Sequence, residues 1–231
     1  MVEGERSGER SLRPPKRRAL PEMLADSIAD GIAAGVLPPG HRIVETAVAD
    51  QMGVSRVPLR EALKVLHAQG ILAGGDHKGF RVVSFDPERI RQVLEVRLDL
   101  EVLLLRDAIG GWKQGRGSLE PLREAVEAMR RAARVGDLSA ALRADLDIHR
   151  SVSEASGNEI AATLWRAIAR HVLIIFSLER RDPSSIDSLV QQHQGLIQFI
   201  QQELSREYSS HRIRQHLLVH IFAASEYKPD A

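Results

Sequence analysis

The sequence predicts a mostly α-helical protein in two parts. A small N-terminal unit of three helices is closed by a β-hairpin, and an all-α bundle of six to seven helices follows. Three observations carry this. Apolar residues recur at intervals of three and four through most of the 231-residue chain, the period of helices with one buried face. Period-two alternation is confined to the neighbourhood of Phe80–Val83, beside Gly-rich turn chemistry. Aromatic residues make up only 4% of the chain, which favours cores of Leu, Ile, Val and Ala over a β-sandwich.

Composition narrows the class. The chain is 43% hydrophobic and 27% charged, as ordinary globular proteins are. It has no cysteine, which excludes disulfides and thiolate metal sites and fits a reducing compartment. The first residues are charged and lack the apolar stretch of a signal peptide. The longest apolar run, Val172–Phe176, is too short to span a bilayer. The expectation is a cytoplasmic protein with no membrane contact. A net charge of +1 makes no general case for nucleic acid, so any such case rests on where cations sit.

Residues 1–19 are polar, charged and aperiodic, and are expected to form a flexible tail whose Lys16, Arg17 and Arg18 could touch phosphates. Residues 20–85 are expected to form the first folded unit. Leu20, Met23, Leu24, Ile28 and Ile32 set a helix that Gly35 stops, with Asp26 and Asp30 facing outward. Pro38-Pro39-Gly40 makes a turn. A second helix spans Glu45–Met52 and ends at Gly53. The stretch GVSRVPLREALKVLHAQG then sets a third. Its Leu59, Ala62, Leu63 and Leu66 form an apolar stripe, and Arg56, Arg60 and Lys64 form a cationic stripe opposite. Pro58 falls in the first turn, where a missing N–H costs little, and Ser55 is placed to cap it. Two helices joined by a tight turn, behind a longer one, make a helix-turn-helix. Arginines near the start of its second helix are placed to pair with guanine in a DNA major groove. After Gly70, Ile71-Leu72, the turn residues Gly74–Gly79 and the strand Phe80–Val83 make a hairpin with a basic tip. His77 and Lys78 could reach phosphate or a minor-groove edge, and Gly79 would allow close backbone approach. A hairpin in this place is a wing.

The stretches GVLPPGHRI, ADQMGVSRVPLREALKVLHAQGIL and HKGFRV resemble the GntR family of bacterial transcription regulators across residues 20–85. The VSRVPLREAL string is far more specific than a generic helix-turn-helix pattern. The resemblance implies that Arg56 and Arg60 lie in a recognition helix, that Gly79 sits at the wing tip, and that a homodimer binds a palindromic double-stranded DNA operator. Some relatives carry an arginine in the second helix where this chain has Thr46.

Residues 86–231 are expected to be helical throughout, as a second unit. The segments are Pro87–Ile109, Leu119–Val135, Asp137–Ser156, Glu159–Glu179, Ser184–Glu203 and Ser209–Glu226. Gly110, Gly111, Gly115 and Gly117 are expected to form the first link. Asp145 and His149 project from one helix face. His193 lies in the fifth segment, and His211, His216 and His220 lie in the last. A carboxylate and imidazoles converging from different helices suit a divalent metal of the Zn, Ni, Mn or Fe type.

EVRLDLE, DLDIHRSVSEASGN and HQGLIQFI are similar to stretches of the FCD-type, FadR-like ligand-binding domain. That resemblance implies a metal held by Asp145, His149, His193 and His216, with His220 on the same face one turn later. It also implies a small carboxylic-acid effector completing the metal's shell. Arg97 is the candidate to clamp the acid, since a guanidinium pairs well with a carboxylate; the alternative is a helix-surface pair with Glu101 four residues on. Asn158 is a candidate cavity residue or, after Gly157, a helix N-cap. Trp165 and His171 are assigned to core or rim. The resulting expectation is a metabolite-responsive regulator, most readily a repressor, and no enzyme. Two alternatives remain. One is a metal-dependent hydrolase or oxygenase with a DNA-binding domain, which would need Glu101 or Asp147 as a base. The other is a metal-free regulator with an apolar effector cavity.

Overall fold

The computed structural model describes residues 20–75, 78–179 and 184–222. The tail at 1–19 and the wing residue His77 lie outside them. Helix α1 spans Leu20–Ala33, strand β1 Arg42–Ile43, α2 Glu45–Met52 and α3 Arg56–Ala68. Strands β2, Leu72–Gly75, and β3, Gly79–Val82, follow. The order in the antiparallel sheet is β1-β3-β2. This is a winged helix-turn-helix, as expected.

The turn between α2 and α3 depends on Gly53, whose φ of 64° lies in the left-handed region that side chains avoid. Ser55 takes the N-cap position of α3, but its hydroxyl makes no capping hydrogen bond. Leu59, Leu63 and Leu66 are fully buried against Ile28 and Ile32 of α1, Phe80 and Val82 of the wing, and Ile174 from the C-terminal part. That packing turns the cationic stripe outward.

The wing differs from expectation in one respect. Gly74 and Gly75 lie within β2, paired with Phe80 and Gly79, and so are not part of the turn. Gly74 is required there, because a Cβ at that position would come within 2.0 Å of the Gly79 carbonyl oxygen. Strand β1 was not foreseen, since two residues carry no period.

The C-terminal part contributes six helices among the described residues: α4 Pro87–Lys113, α5 Glu120–Val135, α6 Leu138–Ala155, α7 Glu159–Glu179, α8 Ser184–Leu204 and α9 Ser210–Phe222. Asp86 caps α4, its Oδ1 accepting from the Arg89 amide at 2.9 Å. Gly110 and Gly111 lie inside α4 and do not form the expected link. At Gly111 a Cβ would crowd the Ala155 carbonyl at 3.3 Å, so its lack of a side chain lets α4 and α6 approach closely. Helix α4 is central, packed against α6, α7, α8 and α9. Its inward positions recur at Val93, Leu94, Arg97, Leu98, Glu101, Leu104 and Leu105. Arg97 and Glu101 are therefore carried into the core together. Residues 159–178 are long and apolar enough to cross a membrane by length and composition, more than the Val172–Phe176 run suggested. In the fold they are a bundle helix, packed on α1, α4 and α6 and carrying Arg166 and Arg170.

A surface for DNA and a buried histidine cluster

Two sites emerge from this packing. The first is the outer face of α3 and the neighbouring sheet. Arg56 and Lys64 are exposed and Arg60 is half-buried. Arg56 lies 4.0 Å from Glu45 of α2, and Lys64 donates to Glu61 at 3.0 Å. Lys78 is exposed beside Gly79 on the wing. Register adds a feature that the sequence alone did not show: Arg42 of β1 stands directly opposite Arg81 of β3, and both are exposed. Like charges directly opposed across strands repel. An anion between them, such as a phosphate, would relieve that.

The second site is at the centre of the bundle. Arg97, Glu101, Asp145, His149, His193 and His220 are each no more than 8% exposed. The candidate ligand nitrogens of His149, His193 and His220 all lie within 4.8 Å of one another. Asp145 Oδ1 lies 2.9 Å from His193 Nε2. His216, expected as the fourth ligand, is not brought in. It stacks on Phe199 at 4.1 Å between ring centroids, one helical turn away, with its Nε2 buried and without a hydrogen-bond partner. The rotation of α9 that buries Ile213, Leu217 and Ile221 points His220 inward in its place.

Second contacts orient the imidazoles. His149 Nδ1 lies 3.0 Å from Glu101 Oε2, an ion-pair distance, and its Nε2 is on the cluster side of the ring, 2.9 Å from Arg97 Nη2. His193 Nδ1 donates to the Leu189 carbonyl at 2.8 Å. Its Nε2 then meets the Asp145 carboxylate and, at 3.4 Å, His149 Nε2. Only a proton or a metal cation between these acceptors makes the contact favourable. Carboxylate-to-histidine hydrogen bonds of this kind accompany bound metals.

Electrostatics point the same way. Burial disfavours charge on Glu101, but the guanidinium of Arg97 and the ring of His149 more than reverse this, holding its carboxyl well below the usual range. Asp145 is likewise held down, burial being outweighed by His193, His149 and Arg97. Burial, reinforced by the His193 and His149 rings and the Arg97 guanidinium, keeps His220 well below the ordinary imidazole range. Two buried carboxylates thus share one guanidinium, and the surplus negative charge suits a cation. Three imidazoles and a carboxylate are the donor set of a divalent transition metal.

Arg97 completes the chamber. Its Nε donates to Glu101 at 2.8 Å and its Nη2 to His149 Nε2 at 2.9 Å, and its guanidinium carbon lies 5.1 Å from the centre of the Phe176 ring. Its buried Nη1 has no hydrogen-bond partner. Trp165, assigned from sequence to core or rim, in fact donates to Glu101 at 3.1 Å and stacks on His149. The pocket beside Glu101, His149, Leu196 and Leu217 measures about 10 Å³, room for one water. Asn158 does not reach this chamber. Its Oδ1 caps α7 by accepting from the Ala161 amide at 3.1 Å, and its Nδ2 donates to Asp107 at 3.1 Å. Asp147 faces outward, paired with Arg150.

A winged helix-turn-helix presenting cations outward, joined to a helical bundle with a buried polar cluster, defines a DNA-binding regulator. The known proteins it resembles agree. Residues 20–82 match the bacterial regulatory proteins of the gntR family, and residues 92–218 match the FCD domain. The chain belongs to that family, as a GntR-type transcriptional regulator with an FCD domain. It is 28% identical over 190 residues to a probable D-xylose utilization operon transcriptional repressor of Paenarthrobacter nicotinovorans, covering 82% of this chain and 80% of that protein. Its fold matches that of McbR/YncC of Escherichia coli with a TM-score of 0.73 at 18% identity, over 90% of this chain and 95% of the other. A GntR regulator from Rhodococcus matches with a TM-score of 0.69 at 18% identity, over 88% and 94% of the two chains. These relatives are regulators and not enzymes.

Proposed function

We propose that this regulator is a cytoplasmic repressor that binds a palindromic operator as a homodimer and senses a small carboxylic acid at a divalent metal. The observation that carries the sensory part is the convergence of Asp145, His149, His193 and His220 beside the partnerless Nη1 of Arg97. Those four residues would hold the metal, with Zn, Ni, Mn or Fe matching the donors. A bound metal would supply the positive charge to which the acid's carboxylate binds. Arg97 is the natural second anchor for that carboxylate. Admission of such a guest requires the chamber to enlarge and Arg97 to leave His149, because the present cavity has room for no more than a single water. An effector therefore selects an opened state, and it shifts DNA binding by its preference for that state over the closed one. The repressor role is supported by the naming of the Paenarthrobacter relative.

The domain division follows the two cores, with residues 20–85 for DNA and 86–231 for effector binding and dimerisation. On the DNA side, Ser55, Arg56, Arg60 and Lys64 of α3 meet the major groove, while Lys78 and Gly79 of the wing, with His77 beyond the described residues, meet the backbone or minor groove. Arg60→Ala is expected to weaken operator binding by about 1–3 kcal/mol and to relax specificity at one base position. Lys64→Ala is expected to weaken all sequences alike and to reduce the salt slope by about one. Fluorescence anisotropy against operator and scrambled duplexes across a salt series distinguishes the two.

A thermal-shift screen of small carboxylic acids, with and without chelator, tests the sensory reading. The expected result is stabilisation by at least one acid that disappears when metal is removed. Stabilisation that survives metal removal would favour an apolar effector cavity without metal.

A further inference from the structure

Helix α7 touches both halves of the molecule through residues within about three turns of one another. Toward the chamber, Trp165 donates to Glu101 and stacks on His149, and the Phe176 ring lies beside the Arg97 guanidinium. Toward the DNA-binding unit stands Arg170, only 7% exposed. Its Nε donates to Asp26 at 2.9 Å and its Nη2 to Glu22 at 2.6 Å, both on α1. Its Nη1 donates at 3.0 Å to the side-chain oxygen of Gln69, the C-cap residue of α3. The next residue, His171, reaches the backbone carbonyl of the same Gln69 at 2.8 Å. Ile174, fully buried, belongs to the N-terminal core. Asp26, expected to face outward, instead faces α7.

We propose that α7 is the lever connecting the sensory chamber to the recognition helix, and that Arg170 and His171 are positioning residues that set the attitude of α3. Opening the chamber must move Arg97, which is held by Glu101, His149 and Phe176. Glu101 also holds Trp165, so the displacement reaches α7. At its other face α7 grips both α1 and the end of α3, so these two helices travel with it. In a dimer, a tilt of α3 changes the separation of the two recognition helices, and operator half-sites tolerate only a narrow range of it. The lever rests on the chamber being the sensor, but its test requires no ligand.

Hydrogen exchange is measured on the full chain for wild type, Trp165→Phe, Arg170→Gln and the double variant. The readout is the amides of residues 66–71, where Gln69, Gly70 and Ile71 close the end of α3 by donating to Val65, His67 and Leu66. Trp165→Phe keeps the ring but removes the donor to Glu101. It is expected to change exchange at 66–71 at least threefold in the wild-type background and less than 1.5-fold when Arg170→Gln is present. The lever is refuted if residues 97–104 respond to Trp165→Phe while 66–71 do not, or if the full response persists with Arg170→Gln. Should Arg170→Gln fail to fold, the Glu22→Gln/Asp26→Asn pair replaces it with the same two outcomes. A parallel arm adds Zn2+ alone. Absence of zinc binding with an intact Trp165→Phe response removes the metal reading and leaves the lever standing.

Discussion

His220→Ala is expected to abolish tight divalent-metal binding, whereas His216→Ala leaves it within a few fold of wild type. Both residues lie on α9, and the helix spacing alone treats them as equals. The fold separates them. His220 meets His149 and His193 at ring distances of 5.5 and 4.6 Å, while His216 is stacked on Phe199. Burial also lowers the proton affinity of His216 without giving it a partner. Loss of residues that merely orient a ligand costs about 10–100-fold in metal affinity, and removing a ligand itself should cost more. Asp145→Asn, His149→Ala and His193→Ala are expected to behave like His220→Ala. Metal content after equilibrium dialysis measures each. Retention by His220→Ala with loss by His216→Ala would mean that α9 is rotated from the orientation described.

Glu101→Gln is expected to destabilise the metal-free protein by about 3–5 kcal/mol, the usual cost of removing one partner from a buried ion pair. Glu101 accepts from Arg97 and Trp165 and lies 3.0 Å from His149, so its loss leaves a buried guanidinium with an orphaned charge. Urea denaturation in the presence of chelator measures it, and a change below about 1 kcal/mol would show that Asp145 already neutralises Arg97. The pH dependence carries a definite sign. Glu101 and Asp145 are held below their ordinary range in the folded state. Their contribution is complete above the unfolded values of about 4.3 and 3.9 and is lost as pH falls below them. His220 is also depressed, so an unfolded chain takes up a proton below about pH 6.5 that the folded one refuses. All three groups therefore make acid destabilising. In Glu101→Gln the portion of that loss below about pH 4.3 shrinks.

Much of the molecule was legible before the fold was known. α2, α3 and the bundle helices α5 to α8 lie within a few residues of their expected limits, because repeated apolar spacing and Gly or Pro stops act locally. α9 begins where expected, while its expected end at Glu226 lies outside the described residues. α4 is the exception, since Gly110 and Gly111 read as breakers while the close approach of α6 makes Gly111 a packing residue. Asp145, His149, His193 and Arg97 were also named from sequence, and the bundle brings them together. Asn158 had two readings, cavity residue and helix N-cap after Gly157, and the capping need of α7 claims its side chain. Glu101 was considered as a surface partner of Arg97 or a base, and its role in orienting His149 was missed. The R-x-x-x-E spacing on an otherwise apolar face was the available signal.

By itself the sequence determined the order of helices, the wing and the outward cationic stripe of α3, since each follows from periodicity and turn chemistry within a few residues. Tertiary structure alone decided that His220 and not His216 enters the chamber, that Arg42 faces Arg81, and that α7 joins the chamber to Gln69. Those outcomes depend on the rotation and register of one element against another. Such relations are set by packing between residues up to more than a hundred positions apart, and no local pattern records them.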